Sequence, residues 1–107
     1  MRVRLSARHI PEGEYDLVCP GEYIDGTPVL VLKDNGLPVA KLTVCMHPVV
    51  PDEGNVFIKS WAENEGVLAA LIQAGVVEPL PTQTRAGFAQ ATECKLLVSL
   101  EDLLEKD

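Results

Sequence analysis

The residues with the most chemical potential are Cys45 and His47, a thiol and an imidazole two positions apart in Leu42-Thr43-Val44-Cys45-Met46-His47. On a strand, side chains at i and i+2 share a face, so the pair could supply two ligands to a metal or a nucleophile with its base. Neither use is complete. Zinc takes four ligands, usually arriving as two close pairs, and Cys19, Cys94 and His9 stand alone at long separations. Proton transfer needs hydrogen-bond reach, whereas i and i+2 side chains lie about 6.6 Å apart along a strand. The residues therefore predict no metal and no cofactor, with Cys45 as a semi-buried, small apolar residue. A small thiol enzyme using Cys45 or Cys94 is the alternative this leaves.

The carboxylates have structural explanations. Asp52-Glu53-Gly54-Asn55 reads as a polar turn, and Glu63 completes a capping box, Ser60-Trp61-Ala62-Glu63. Glu101 and Asp102 suit the first turn of a helix, where acids favour the dipole. No Gly-x-Ser-x-Gly elbow and no glycine-rich phosphate cradle is present. Binding rather than catalysis is the expected mode of action.

Charge is the remaining signal. Between Ile10 and Leu32 stand Glu12, Glu14, Asp16, Glu22 and Asp25 without one base, and Arg2, Arg4 and Arg8 lie just upstream. A one-sign stretch creates a field that steers a basic partner. These five acids are the candidate partner-binding surface, with Tyr15 and Tyr23 as candidate aromatic anchors. Trp61 is expected to pack the helix start onto the sheet instead.

The 107 residues form one expected domain, 1–107, with 9 Lys+Arg against 16 Asp+Glu, a net charge of −7 and 47% hydrophobic residues. That composition excludes disorder, and the acidic balance excludes wrapping nucleic acid by phosphate neutralisation. The basic start, Met1-Arg2-Val3-Arg4-Leu5, is followed by no apolar stretch of signal length. The longest apolar run, Val67–Ile72, is far short of the roughly 20 residues that span a bilayer. A cytoplasmic protein with free thiols is expected.

Turn-forming residues at Pro11-Glu12-Gly13, Cys19-Pro20-Gly21, Asp25–Pro28 and Asp34-Asn35-Gly36 divide the first half into short segments. Val29–Leu32 and an alternating run from Val39 through His47 read as a hairpin joined by Asp34-Asn35-Gly36. Val3 and Leu5, Tyr15–Cys19, Val56–Ile58 and Cys94–Ser99 mark further strands, and Val76-Val77 can begin another. Pro79 to Gly87 reads as a loop, with Phe88-Ala89 able to start a strand. A helix is predicted over about 61–74, with Leu68, Leu71, Ile72 and Gly75 on one face and Gly75 as its C-terminal cap. Ser99–Glu105 reads as a short C-terminal helix. The expected class is α+β: an antiparallel sheet of about 4–6 short strands, the main helix on one face, and that short last helix. A Val56 or Cys94 edge strand would allow a homodimer, so monomer and homodimer both stand.

Gly26-Thr27-Pro28, Gly36-Leu37-Pro38-Val39-Ala40-Lys41-Leu42-Thr43-Val44, Phe57–Gly66 and Ala86-Gly87-Phe88 follow one another in an order that resembles an uncharacterised family of small acidic proteins. Such proteins are borne on bacterial phages and conjugative elements. Cys45, after Leu-Thr-Val, departs from that family's polar residue. The resemblance carries no catalytic residues and implies context. It points to an anti-CRISPR-like inhibitor that binds a host defence effector of CRISPR or restriction type, without touching nucleic acid itself or a membrane. An accessory or regulatory binding module of a mobile element, with no defence role, is the other reading.

Overall fold

The computed structural model describes residues 1–46, 49–86 and 89–104, and the side chains of these outside 82–90. His47, Gly87, Phe88 and Glu105 lie outside the described residues, and with them the thiol–imidazole pairing. Val3 and Leu5 alternate with Arg2 and Arg4 as expected. Strand β1 (Arg2–Ala7) pairs antiparallel with β2 (Ile10–Glu22), burying Val3, Leu5, Tyr15 and Leu17 on one face. β2 is far longer than its turn residues suggested. Pro11-Glu12-Gly13 and Cys19-Pro20-Gly21 lie inside it, and Pro20 falls where the pairing with β3 (Pro28–Asp34) shifts between Val18 and Gly21. A bulge leaves a residue out of the ladder, so a missing N–H is tolerated there. The next hairpin is as expected: Asp34 pairs with Leu37, and Asn35 and Gly36 take φ of 52° and 82° before β4 (Leu37–Lys41). Positive φ at both positions is what a type I′ turn requires.

The alternation expected through Met46 stops at Leu42, because consecutive Leu42 and Thr43 are both buried, 0% and 1% exposed. Here the chain leaves one sheet for another. The Leu42 amide donates to the Leu30 carbonyl at 2.8 Å, while its own carbonyl accepts from Lys59 at 2.8 Å. Val44 donates to Phe57, and Thr43 bridges Ile58 in β5 (Asn55–Ile58). A residue stitched to a sheet on each side has no solvent face. The single expected sheet is thus two antiparallel sheets, one of order β1-β2-β3-β4 and one of three strands. In the second, β7 (Ala89–Leu96) lies between β5 and β6 (Val77–Ala86).

Two expectations change with this topology. Cys94 is on the central strand, so its segment is no edge, whereas the Val56 strand is one. Residues 79–86, read as loop, are strand: Pro79 and Pro81 sit on edge strand β6, with a register shift between Pro79 and Gln83. An edge strand has one row of unpaired groups, which is where proline costs least.

The helix is shorter than predicted, α1 being Val67–Gln73 after a separate 3-10 turn at Ala62–Asn64. Ser60 and Glu63 form no capping box. The Ser60 hydroxyl accepts instead from the Leu68 amide at 3.2 Å, capping a helix whose N-cap is Gly66 at φ 86°. Glu63 pairs with Lys59 at 2.5 Å, which holds its carboxyl below the usual range. The later start moves the buried face to Val67, Ala70 and Leu71, and Ile72 turns outward. At the other end Gly75, φ 75°, caps as expected. Its amide meets the Ile72 carbonyl, and the Val76 amide meets Leu71, the pair of bonds of a Schellman motif. The helix contacts β1 and β6, so it bridges an end strand of each sheet over a shared core.

The C-terminal helix is only a 3-10 turn, Leu100–Asp102. Leu103 follows it into the core, 1% exposed, and its carbonyl accepts from Cys19. Among the described residues no helix is long and apolar enough to cross a membrane.

Asn64 fastens the junction between the sheets. It is fully buried, and its amide nitrogen donates to the Lys41 carbonyl at 2.6 Å and the Lys59 carbonyl at 3.4 Å, either side of Leu42. Deleting a buried donor strands its acceptors, at about 1–3 kcal/mol. Asn64→Ala is expected to lower stability by about 2 kcal/mol in urea unfolding. Asn64→Asp should cost more, because it sets a carboxylate against carbonyl oxygen.

Candidate functional site

The acidic stretch does not act as one unit. Glu12, Glu14 and Asp16 project outward from β2 between its buried residues, next to the arginines of β1. Arg2 lies 3.5 Å from Glu14 and 3.2 Å from Asp16, and Arg4 lies 3.7 Å from Glu12. Exposed pairs of this kind add little to stability, because water and salt screen them. Their larger effect is on the field, since two guanidinium groups offset most of three carboxylates. Lys33 stands opposite Asp16 on the other flank. Tyr15 is in the core, 6% exposed, with its hydroxyl donating to the Pro11 carbonyl, so it serves the fold and offers no surface anchor. Glu22 is exposed at the end of β2, opposite Pro28.

Asp25 and Tyr23 lie in the turn between β2 and β3. The Tyr23 amide donates to the Thr27 carbonyl, and Asp25 Oδ1 accepts from the Thr27 amide at 3.0 Å and its hydroxyl at 2.5 Å. These two bonds, the hydroxyl first, hold the Asp25 carboxyl below its ordinary range. Oδ2 takes a long contact from the Cys45 thiol, 3.6 Å. Tyr23 is half-buried and donates to the Thr43 carbonyl at 2.8 Å. Burial raises its pKa, with Cys45 and Asp25 adding to the effect.

This turn forms one bank of a groove of about 550 Å³. Asp25, Gly26, Thr27 and Pro28 line it from this turn, residues 50–56 form a second bank, and Leu96, Val98 and Leu100 complete the lining. It opens where β3 and β5 begin and β7 ends, in the gap between sheets joined at Thr43. The second bank carries Asp52 and Glu53, both exposed, beside half-exposed Val50, 55%. Glu93 holds that bank. It is 7% exposed, and its carboxylate accepts from the Asp52 amide at 3.1 Å and the Asn55 side-chain amide at 2.8 Å. Leu96 adds a bond to the Gly54 carbonyl. The groove thus has an apolar interior and carboxylates on both banks, each bank fixed by its own hydrogen bonds.

Asp25 is one of the five acids expected to meet a partner and residues 52–55 are an expected turn, but nothing in the sequence unites them. Glu93 carries no sequence signal, because one buried acid in a strand leaves no periodic trace. The thiols separate by environment. Cys94 is fully buried, and burial, then the Glu93 charge, pushes it up to about 11. Cys19 is buried beside Leu103, and Cys45 is half-buried against Asp25. Among the described residues no group of three or more His, Cys, Asp or Glu is placed to hold a metal ion. Comparison with family models, with curated proteins and with solved structures finds no match.

Two outcomes follow from these environments. The folded state holds the Cys94 proton more tightly than the unfolded chain does. Its contribution is therefore complete below the unfolded thiol pKa and is lost as pH rises toward about 11. Urea unfolding across that alkaline interval should show a loss of about 2 kcal/mol that is missing from Cys94→Ala. Glu93→Ala should speed hydrogen exchange at the Asp52 amide about tenfold or more, and Glu93→Gln, which keeps an acceptor, should restore most of the protection.

Proposed function

We propose that this chain is a small acidic binding protein of a mobile element that inhibits a host defence complex acting on nucleic acid. In this reading it occupies a Lys/Arg-rich surface of the effector by recognition, without bond-making. The observation that carries the reading is the groove, whose apolar interior lies between Asp25 on one bank and Asp52 and Glu53 on the other. Nucleic-acid-targeting effectors display positively charged channels, and carboxylates beside apolar contact area complement them. The contact surface moves accordingly from the β2 acids to the groove, because Arg2 and Arg4 already offset Glu12, Glu14 and Asp16. Tyr23, half-buried behind the Asp25 turn, supports that bank. The resemblance of the Gly26–Phe88 landmarks to proteins of phages and conjugative elements supplies the biological setting.

A plasmid-interference assay against several CRISPR and restriction systems, with and without the protein, tests this. Protection is expected against at least one system. Neutralising the groove with Asp25→Asn, Asp52→Asn and Glu53→Gln should weaken effector binding about tenfold, and raising salt should do the same to the wild type. Glu12→Gln with Glu14→Gln should change it less than about threefold. Retention of an element-encoded protein in a host pull-down, without protection in any system, would favour the accessory-module reading.

A further inference from the structure

We propose that the groove takes an extended segment of its partner in which one arginine is flanked by apolar residues, the guanidinium lying between Asp25 and the Asp52–Glu53 bank. The inference rests on the binding-protein reading and adds the chemistry of what is bound. Its first support is size: about 550 Å³ is within the 300–1,000 Å³ range of sites for small ligands, room for a few side chains. The second is composition. Val56, Leu96, Val98 and Pro28 line a cavity whose banks carry Asp25, Asp52 and Glu53, and no basic residue is among its lining. Such a site suits a ligand that is apolar along its length and cationic at one point.

Arginine meets that description better than lysine. Its guanidinium is planar and weakly hydrated, so it loses less on leaving water for an apolar wall, and its fork of donors can serve two carboxylates at once. An ammonium is a strongly hydrated point charge and would give up more solvation. The Asp25 carboxylate is held in a fixed orientation on the groove's edge: Oδ1 accepts from the Thr27 amide and hydroxyl, and Oδ2 takes the long Cys45 thiol contact. A second copy of this chain is a poor occupant. Of the four arginines, the three whose side chains are described are each engaged by an acid of their own molecule, Arg2 by Asp16, Arg4 by Glu12 and Arg8 by Glu65 at 3.0 Å. The fourth, Arg85, belongs to β6, which is already paired with β7, and two chains of net charge −7 repel.

The test uses a fluorescein-labelled hexapeptide carrying one arginine between valines, with lysine and citrulline counterparts, against the full-length protein. Citrulline keeps the shape and removes the charge. Binding of the arginine peptide should exceed the lysine form by about fivefold and the citrulline form by tenfold or more at low salt. Asp25→Asn with Asp52→Asn should cost about tenfold, with amide shifts in the wild type confined to residues 25–28, 50–56 and 96–100. Equal binding of the citrulline peptide, shifts outside those segments, or equal binding of free arginine amide would each overturn the inference. The two proposals can fail separately. If no peptide binds but neutralising the groove abolishes protection in cells, the arginine segment is wrong and the binding reading stands. If the peptide binds and protection is absent in every system, the groove chemistry stands and the defence role falls.

Discussion

Two sheets that share one core must be joined somewhere, and here the joint is three residues long. Leu42, Thr43 and Val44 spend their backbone bonds on both sides, on Leu30 in the first sheet and on Phe57 and Lys59 around β5. The Thr43 hydroxyl accepts from the Leu30 amide at 3.1 Å, and Asn64 clamps the carbonyls on either side of the joint. Polar groups in such a place depend on protein partners, and the exception among the described residues is the Asn64 Oδ1, which is buried without one. The angle between the sheets is set there, and with it the space that opens between the starts of β3 and β5.

That space explains why an acidic protein can present a directed surface although its acids are scattered through the sequence. Along β2 the carboxylates are matched to arginines one strand away, and the region is electrically mixed. At the groove, Asp25 and Asp52–Glu53 come from turns far apart in the chain and meet because the joint brings their strands together. Burying Glu93 to hold the second bank is costly for a lone carboxylate, and two donors offset the cost. A charge is committed to positioning so that two others can stay exposed.

Local patterns were the legible part. The Asn35-Gly36 hairpin, the alternation in β1, the Gly75 cap and the α+β class all follow from residue types at fixed spacing. Errors came where one residue type has two uses. Proline and glycine in β2 and β6 mark bulges and edges, not turns, and Ser60 caps a helix that begins seven residues later in place of the adjacent one. Asn64 and Glu93 carried no signal, for their roles depend on partners brought in by tertiary pairing. The groove was illegible for the same reason: three separate segments build it, and none is distinctive alone.

The prolines on the outer strands have one more effect. Pro38 is in β4, an end strand of the first sheet, and Pro79 and Pro81 are in β6, an end strand of the second. A strand that lacks amide protons at intervals is a poor template for another chain to add to. Of the two end strands without proline, β1 has helix α1 packed beside it, and β5 carries the Thr43 bridge and the Val44 bond along its outer side. Edge-to-edge addition of another strand, the first step of cross-β growth, is therefore discouraged at the proline-bearing borders β4 and β6.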